Sequence, residues 1–335
     1  MHEPAFWYRP SSLSSRLLMP LGAIYGAVAA RRLAREGIDA GIPVLCVGNY
    51  HVGGAGKTPT VLALVNLLRD AGEAPIVLSR GYGGKLRGPL KVDPGRHAAS
   101  DVGDEPLMMA QAVAVVVARD RADGVALARS QGASVIVMDD GFQNPAVAKD
   151  ASLIVIDGDR GLGNACVFPA GPLRAPLRPQ LARTDALIIV GNGSAADTVA
   201  AAVAAQGGLV LRAHLTPREA SVAALRGKRV LAFAGIADPQ RFFRTLRTSG
   251  LDVVAEQAFA DHHPFSDREI EALAAAAKRD GLTLVTTEKD FARLGRDRAP
   301  DVVPFAVTLR FDDEAKVLRF VTDRLFKSRA KRFRS

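Results

Sequence analysis

From residue 42 onward, short β-branched apolar runs alternate with longer stretches of helical period. Runs at 42–47, 75–78, 114–118, 134–138, 153–156, 186–190 and 209–212 predict strands. Residues 58–71 predict a helix, apolar at Val61, Leu64, Val65 and Leu68, and the Ala-rich tract 195–206 predicts another. The periodicity breaks over 213–228, around His214-Leu-Thr-Pro217, and a smaller alternation follows. It consists of strands at 230–234, 253–259 and 283–287, and helices at 239–249 and 267–279. Alternating strands and helices predict an α/β fold with a mainly parallel sheet. The expected organisation is an N-terminal region 1–40, a larger unit 41–212, a connection 213–228 and a smaller α/β unit 229–335 carrying a basic tail.

Leu17 to Ala30 is a run of fourteen residues without a charge, too short for the roughly twenty that a membrane span needs. Pro20 is expected to interrupt a helix there. Arg9 and Arg16 precede the run, and Arg31, Arg32 and Arg35 follow it. Phe6-Trp7-Tyr8 stands ahead of it, and Trp and Tyr favour a membrane interface. Two readings fit: a helix packed on the core, or an in-plane anchor. At the far end, five of the last nine residues are basic, from Lys327 to Ser335. That tail reads either as a solvated, frayed terminus or as a segment drawn to anionic lipid.

Composition narrows the classes. In 335 residues, 48% are hydrophobic and 24% charged, which excludes wholesale disorder and collagen-like repeats. Cys46 and Cys166 lie far apart with no C-x-x-C, so neither a disulfide framework nor a cysteine zinc site is expected. A formal net charge of +9 favours an anionic partner. Nucleic acid is not the expected one, because the basic tail has a single interleaved aromatic, Phe333.

The strongest motif is Gly48-Asn-Tyr-His-Val-Gly53-Gly54-Ala55-Gly56-Lys57-Thr58. It follows a predicted strand and opens a predicted helix, the context in which a glycine-rich loop cradles phosphate. Lys57 would reach the β/γ-phosphates of ATP and the Thr58 hydroxyl would hold Mg²⁺. His51 stands where the strict G-x-x-x-x-G-K-[ST] template has Gly. Partitioning-type ATPases carry a signature Lys just before the first Gly of the pair; here that position is Val52, which counts against a switch ATPase.

Several further groups carry candidate chemistry. Asp139-Asp140-Gly-Phe-Gln143 ends a buried strand run, where carboxylates face the ligand crevice of a parallel sheet; a surface turn is the plainer reading. Gly103-Asp104-Glu105-Pro106 reads either as a helix cap or as a base and metal ligand at a helix start. His262-His263 can orient or deprotonate an acceptor hydroxyl, or serve only structure. Thr287-Glu288-Lys289-Asp290 also follows a strand end. Arg80, Tyr82 and Lys85, in a basic glycine-rich loop, and Arg119 and Arg121 are candidates for phosphate or substrate contact, with surface salt pairing the alternative for the last two.

Assembled, these stretches resemble the tetraacyldisaccharide 4′-kinase family of lipid A synthesis. VGNYHVGGAGKTP (47–59), LSRGYGGK (78–85), VGDEP (102–106), VMDDGFQN (137–144), VIDGDRGLGNACVFPAGPLR (155–174), FAGIADPQRFF (233–243), ADHHPF (260–265) and TTEKD (286–290) occur in family order. The resemblance implies a P-loop NTPase-like parallel-sheet domain, a smaller α/β domain and an N-terminal membrane-associated helix. It implies transfer of the γ-phosphate of ATP to the 4′-hydroxyl of a tetraacylated glucosamine disaccharide 1-phosphate. Gly53–Thr58 would bind nucleotide. Thr58, Glu105, Asp139 and Asp140 would hold or order Mg²⁺. Asp104 would be the base, supported by His262, with Lys57 aiding transfer. A peripheral monomer at the cytoplasmic face of the bacterial inner membrane is expected, with the acylated disaccharide and an anionic membrane surface as partners. A P-loop switch or transport ATPase without a lipid acceptor is the alternative.

Overall fold

The structure is a computed structural model that describes residues 3–9, 12–295 and 300–334. Among the described residues, thirteen strands form two sheets. They are β1 (Val44–Gly48), β2 (Pro75–Ser79), β3 (Leu90–Lys91), β4 (Val115–Val117), β5 (Val135–Asp139), β6 (Ala151–Asp157) and β7 (Ala186–Val190). β8 (Leu209–Pro217), β9 (Arg229–Ala234), β10 (Asp252–Ala258), β11 (Thr283–Thr287), β12 (Val302–Phe305) and β13 (Val307–Phe311) follow. The large sheet runs β13-β8-β7-β6-β1-β5-β2-β4-β3, and the small one β10-β9-β11-β12. Pairing in the large sheet is parallel except at its edges, where β3 runs against β4 and β13 against β8.

Both faces of the large sheet are covered at its centre, so β1, β2, β4, β5 and β7 are buried along their whole length, whereas β8 and β13 near one edge alternate apolar with polar residues. Side chains of β1 point alternately to the two faces. Leu45 and Val47 join one core with Leu64 and Val65 of the helix Lys57–Asp70, while Val44 and Cys46 join another with Ile136 and Met138. The small sheet divides likewise, Val230 and Ala232 on one side and Leu231 and Phe233 on the other.

The expected connection 213–228 is not a free linker. β8 extends through Pro217, and a helix covers Glu219–Leu225. Nor does the small unit run to the C-terminus. β13 pairs with β8, and the helix Glu314–Arg334 then lays Val317, Val321 and Leu325 on the core that holds Leu64. Four-residue spacing puts those three on one helical face. The basic tail is therefore a docked helix: Arg329 forks onto Glu73 at 2.8 and 2.6 Å, and Arg332 onto Asp150 at 3.1 Å. Ser335 lies outside the described residues. Leu325→Ala is expected to cost about 2–5 kcal/mol, seen as a lower urea midpoint for the large unit, because the side chain is 2% exposed in that core.

The N-terminal helix spans Leu13–Leu33 and runs through Pro20 without ending, longer than the uncharged run. Ser12 caps it, accepting from the Ser15 amide at 3.0 Å. Ser15, Gly22, Gly26 and Leu33 face the body. A Cβ on Gly22 would stand 2.9 Å from the Val167 carbonyl oxygen, so only glycine permits this approach. Leu13, Leu17, Met19, Leu21, Ile24 and Val28 are exposed. By length and composition the helix could cross a membrane. Trp7, expected at an interface, is instead buried, and its indole N–H donates to the Pro169 carbonyl at 3.1 Å.

Candidate active site

β1, central in the sheet, leads into the glycine-rich loop, which returns as the helix Lys57–Asp70. Gly53 and Gly56 take φ of +107° and +86°, values that L side chains rarely adopt, and a side chain on Gly53 would also run into Glu3. Asn49 closes the loop by donating to the Gly53 carbonyl at 3.1 Å, and the Thr60 hydroxyl donates to the Gly56 carbonyl at 2.8 Å. The loop thus ends at a helix N-terminus whose free N–H groups suit an anion. Ala55 and Thr58 are buried beneath it. Gly54 faces the small unit, with Ala237 the only neighbour near its missing Cβ, at 3.8 Å.

His51 is buried, with Nδ1 3.0 Å from the Val52 carbonyl and Nε2 unpartnered. Burial, aided by the charges of Lys57 and Arg174, pushes its pKa down to about 4. Between there and the ordinary 6.5 the unfolded chain binds a proton that the folded chain refuses, so stability falls as pH drops through that window. His51→Gln is expected to remove this component, on the order of 3 kcal/mol at the acid end. Urea titrations of both proteins at pH 7 and pH 4.5 check it.

The carboxylates gather at the ends of neighbouring strands. Asp139 closes β5, its backbone in register with Val47 of β1. Asp139 is 2% exposed; Oδ2 accepts from the Ser79 hydroxyl at 3.0 Å, while Oδ1 is buried with no partner. Burial and the charges of Glu105 and Asp140 push this carboxyl well above the ordinary range. Asp140 has φ of +49° and accepts from Arg174 at 2.8 Å; Lys57 Nζ stands 3.7 Å away. Its surroundings oppose ionisation, but Lys57 and Arg174 outweigh that and hold its pKa at about 2. An orphaned carboxylate oxygen among like charges suits a hard divalent cation. Among the described residues no three acidic, histidine or cysteine side chains cage a metal unaided.

Asp104 begins the helix Asp104–Ala110, and its Oδ1 accepts from the Glu105 amide at 3.0 Å. Its Oδ2 meets two groups from the small unit: His262 Nδ1 at 3.1 Å and Arg293 Nη2 at 2.6 Å. Burial works to raise this pKa, but the His262 hydrogen bond, the Lys289 charge and the Arg293 hydrogen bond prevail and hold it well below the carboxylate range. Lys289 Nζ donates to Glu105 Oε1 at 3.1 Å and stands 3.3 Å from His262 Nε2. His263 faces elsewhere, bonded to Glu269 at 2.9 Å and stacked on Phe259 at 4.8 Å between ring centroids. The neighbouring histidines therefore have different surroundings, an alternative the sequence leaves open.

The remaining candidates divide. Tyr82 is exposed, with its ring 5.9 Å from that of His262. Arg121 is fully buried under the carboxylates, with Nη2 3.3 Å from the Asp139 carbonyl and Nε and Nη1 unpartnered. Arg119 is drawn instead to the glycine-rich loop, donating to the Gly84 carbonyl at 3.2 Å, and Arg80 and Lys85 are exposed at the ends of that loop. Sequence reasoning missed Arg174, Lys289 and Arg293 as site residues. Arg174 ends the PAGPLR run, and Lys289 lies inside TTEKD with Arg293 one turn beyond it. Those motifs were the signal available.

The LpxK family, tetraacyldisaccharide-1-P 4′-kinase, matches residues 14–325. The tetraacyldisaccharide 4′-kinase of Nitrobacter winogradskyi is 70% identical over 334 residues, covering 98% of this chain and 99% of that protein. That of Bradyrhizobium diazoefficiens is 68% identical over 335 residues, covering 99% of each. A crystal structure of LpxK from Aquifex aeolicus in complex with ATP superposes with a TM-score of 0.71 at 26% identity, covering 93% of this chain and 99% of that one. With a family match over residues 14–325, a relative 70% identical over nearly the whole of both chains and a fold shared with a solved LpxK structure, the chain belongs to the tetraacyldisaccharide-1-P 4′-kinase family.

Proposed function

We propose that this protein transfers the γ-phosphate of ATP to the 4′-hydroxyl of a tetraacylated glucosamine disaccharide 1-phosphate. The observation that carries the reading is the pairing of Asp104 with His262, 158 residues apart in sequence, beside the Glu105 carboxylate whose charge bears on Asp139. On this reading the acceptor-side base and the phosphate loop serve one reaction, linked by the charges of Glu105 and Lys57 that both bear on Asp139. Gly53, Gly54, Ala55 and Gly56 offer backbone N–H groups to phosphate, and Lys57 adds a cation. Thr58, Glu105, Asp139 and Asp140 would hold Mg²⁺, which neutralises charge on the transferred group when bound. Asp104 takes the hydroxyl proton, with His262 orienting it and Tyr82 closing the rim. Arg121 steadies the β5 end from below. Little covalent work falls to the protein in such a transfer, so positioning and charge decide the rate.

The Leu13–Leu33 helix suits a peripheral attachment to the cytoplasmic face of the inner membrane. Its buried small residues fasten it lengthwise to the body, leaving one apolar face for lipid. An acylated substrate could then stay partly in the bilayer while its sugar enters the cleft.

The test is transfer of labelled γ-phosphate from Mg·ATP to the tetraacyl disaccharide 1-phosphate in detergent micelles. Labelled lipid supports the reading; label released only as inorganic phosphate sinks it in favour of an ATPase. In the same assay His262→Ala is expected to lower kcat about 10²-fold. His263→Ala should leave kcat within about threefold and act instead on melting temperature, because its contacts are Glu269 and Phe259.

A further inference from the structure

We infer that Arg293 is a positioning residue for the transfer, the group that locks Asp104 against His262; the inference rests on the phosphotransfer reading above. Arg293 lies on the helix Glu288–Leu294 of the small unit, and its side chain is 11% exposed. Nη1 donates to Asp290 Oδ1 at 2.8 Å and to the carbonyls of Gly235 and His263 at 3.3 Å each. Asp290 is itself fully buried, with Oδ2 accepting from the Gly235 amide at 3.0 Å and from the Thr287 hydroxyl at 2.8 Å. The guanidinium is therefore fixed on three sides by the end of β9, the His262-His263 loop and its own helix.

From that mount Nη2 alone crosses to the large unit, ending on Asp104 Oδ2 at 2.6 Å. The same oxygen receives His262 Nδ1. One carboxylate oxygen thus serves two donors whose relative position the Arg293–His263 bond sets. With Oδ1 tied to the Glu105 amide, the Asp104 side chain has no rotational freedom left. Lys289, four residues earlier and so on the same helical face, repeats the arrangement on Glu105. This helix reaches both acidic residues of the Gly103-Asp-Glu-Pro turn. A planar fork that bonds an anchoring aspartate with one nitrogen and a working aspartate with another is a task Arg performs and Lys does not. Its removal leaves the reacting groups present but loose, and misplacement on the ångström scale costs on the order of 10²-fold in rate.

The experiment measures kcat, KM for ATP and thermal unfolding for wild type, Arg293→Lys and Arg293→Ala in the micelle assay, with and without sub-denaturing guanidinium ion. The expected result is a kcat loss of about 10²-fold in Arg293→Ala with KM for ATP within about threefold. Added guanidinium restores part of that loss, and Arg293→Lys falls between. A kcat loss that merely follows the unfolded fraction, no rescue by guanidinium, or unchanged kcat overturns the inference. A parallel cycle of unfolding midpoints compares Arg293→Ala, Asp104→Asn and the double variant. Additive losses overturn the contact; non-additive losses support it. If wild type forms no labelled lipid, the phosphotransfer reading falls, and this cycle still decides whether Arg293 fixes Asp104.

Discussion

Asp104→Asn is expected to lower kcat for lipid phosphorylation by about 10²–10⁴-fold, the usual worth of a positioned general base. The amide keeps the shape of the carboxylate but has a single acceptor oxygen, so it can accept on the His262–Arg293 side or from the Glu105 amide, not on both. It cannot take a proton. The phosphate loop lies on other elements, so KM for ATP should change little; steady-state kinetics with ATP varied at saturating lipid separate the two. A large rise in KM with kcat preserved would move Asp104 from the acceptor side to the nucleotide side. Stability supplies a second reading. Asp104 is held ionised in the folded protein, so its contribution is present above the unfolded value of about 3.9 and fades as pH falls below it toward the folded one. The gap in unfolding free energy between wild type and Asp104→Asn should therefore be steady near neutrality and narrow below about pH 4. A gap that widens in acid would mean that the carboxylate is not clamped as the geometry states.

Legibility followed the range of the physics involved. The large-sheet strands β1, β2, β4, β5, β6, β7 and the first half of β8 were written locally, as apolar runs between turn residues, and so was the phosphate loop, which needs only neighbours in sequence; the two-residue β3 was not. The strand β13 was missed although Val307-Thr-Leu-Arg-Phe311 alternates apolar and polar, because its partner lies 92 residues away at Thr216–Thr308 and nothing nearby in sequence marks it as part of the large sheet. Without β13 the helix Glu314–Arg334 read as a basic tail, although its apolar face at Val317, Val321 and Leu325 was in plain view. The seven-residue helices Asp104–Ala110 and Glu288–Leu294 are too short to show a period, so Arg293 was invisible as a partner of Asp104. Trp7 misled for a related reason. An indole suits an interface by composition, but here its N–H finds a carbonyl inside the protein. Within the candidate site, residues sharing a motif were legible as a group. The contacts that give them different surroundings, His262 to Asp104 and His263 to Glu269, are tertiary.

Lys57→Ala bears on the opposite side of the reaction and should be at least as damaging. Lys57 opens the helix after Gly56, and its ammonium stands 3.7 Å from Asp140, whose carboxylate also feels Arg174 and Arg121. The loss removes a preorganised cation aimed at the phosphates, and one such donor is worth about 10²–10³-fold in kcat. It also removes a charge that keeps Asp140 ionised, leaving two carboxylates, Asp139 and Asp140, with less positive charge to offset them. The expectation is therefore a loss of transfer exceeding that single-donor range, together with a weaker response to Mg²⁺. Titrating the variant and wild type with Mg²⁺ at fixed ATP checks both parts. If Lys57 acted only as a counter-ion to Asp140, the Lys57→Ala/Asp140→Asn double variant would recover activity relative to Lys57→Ala. If it acts on phosphate, as the loop geometry indicates, the double variant will be no better than either single one. That comparison separates electrostatic repair inside the protein from stabilisation of the group in flight, which a rate measured on one variant cannot do.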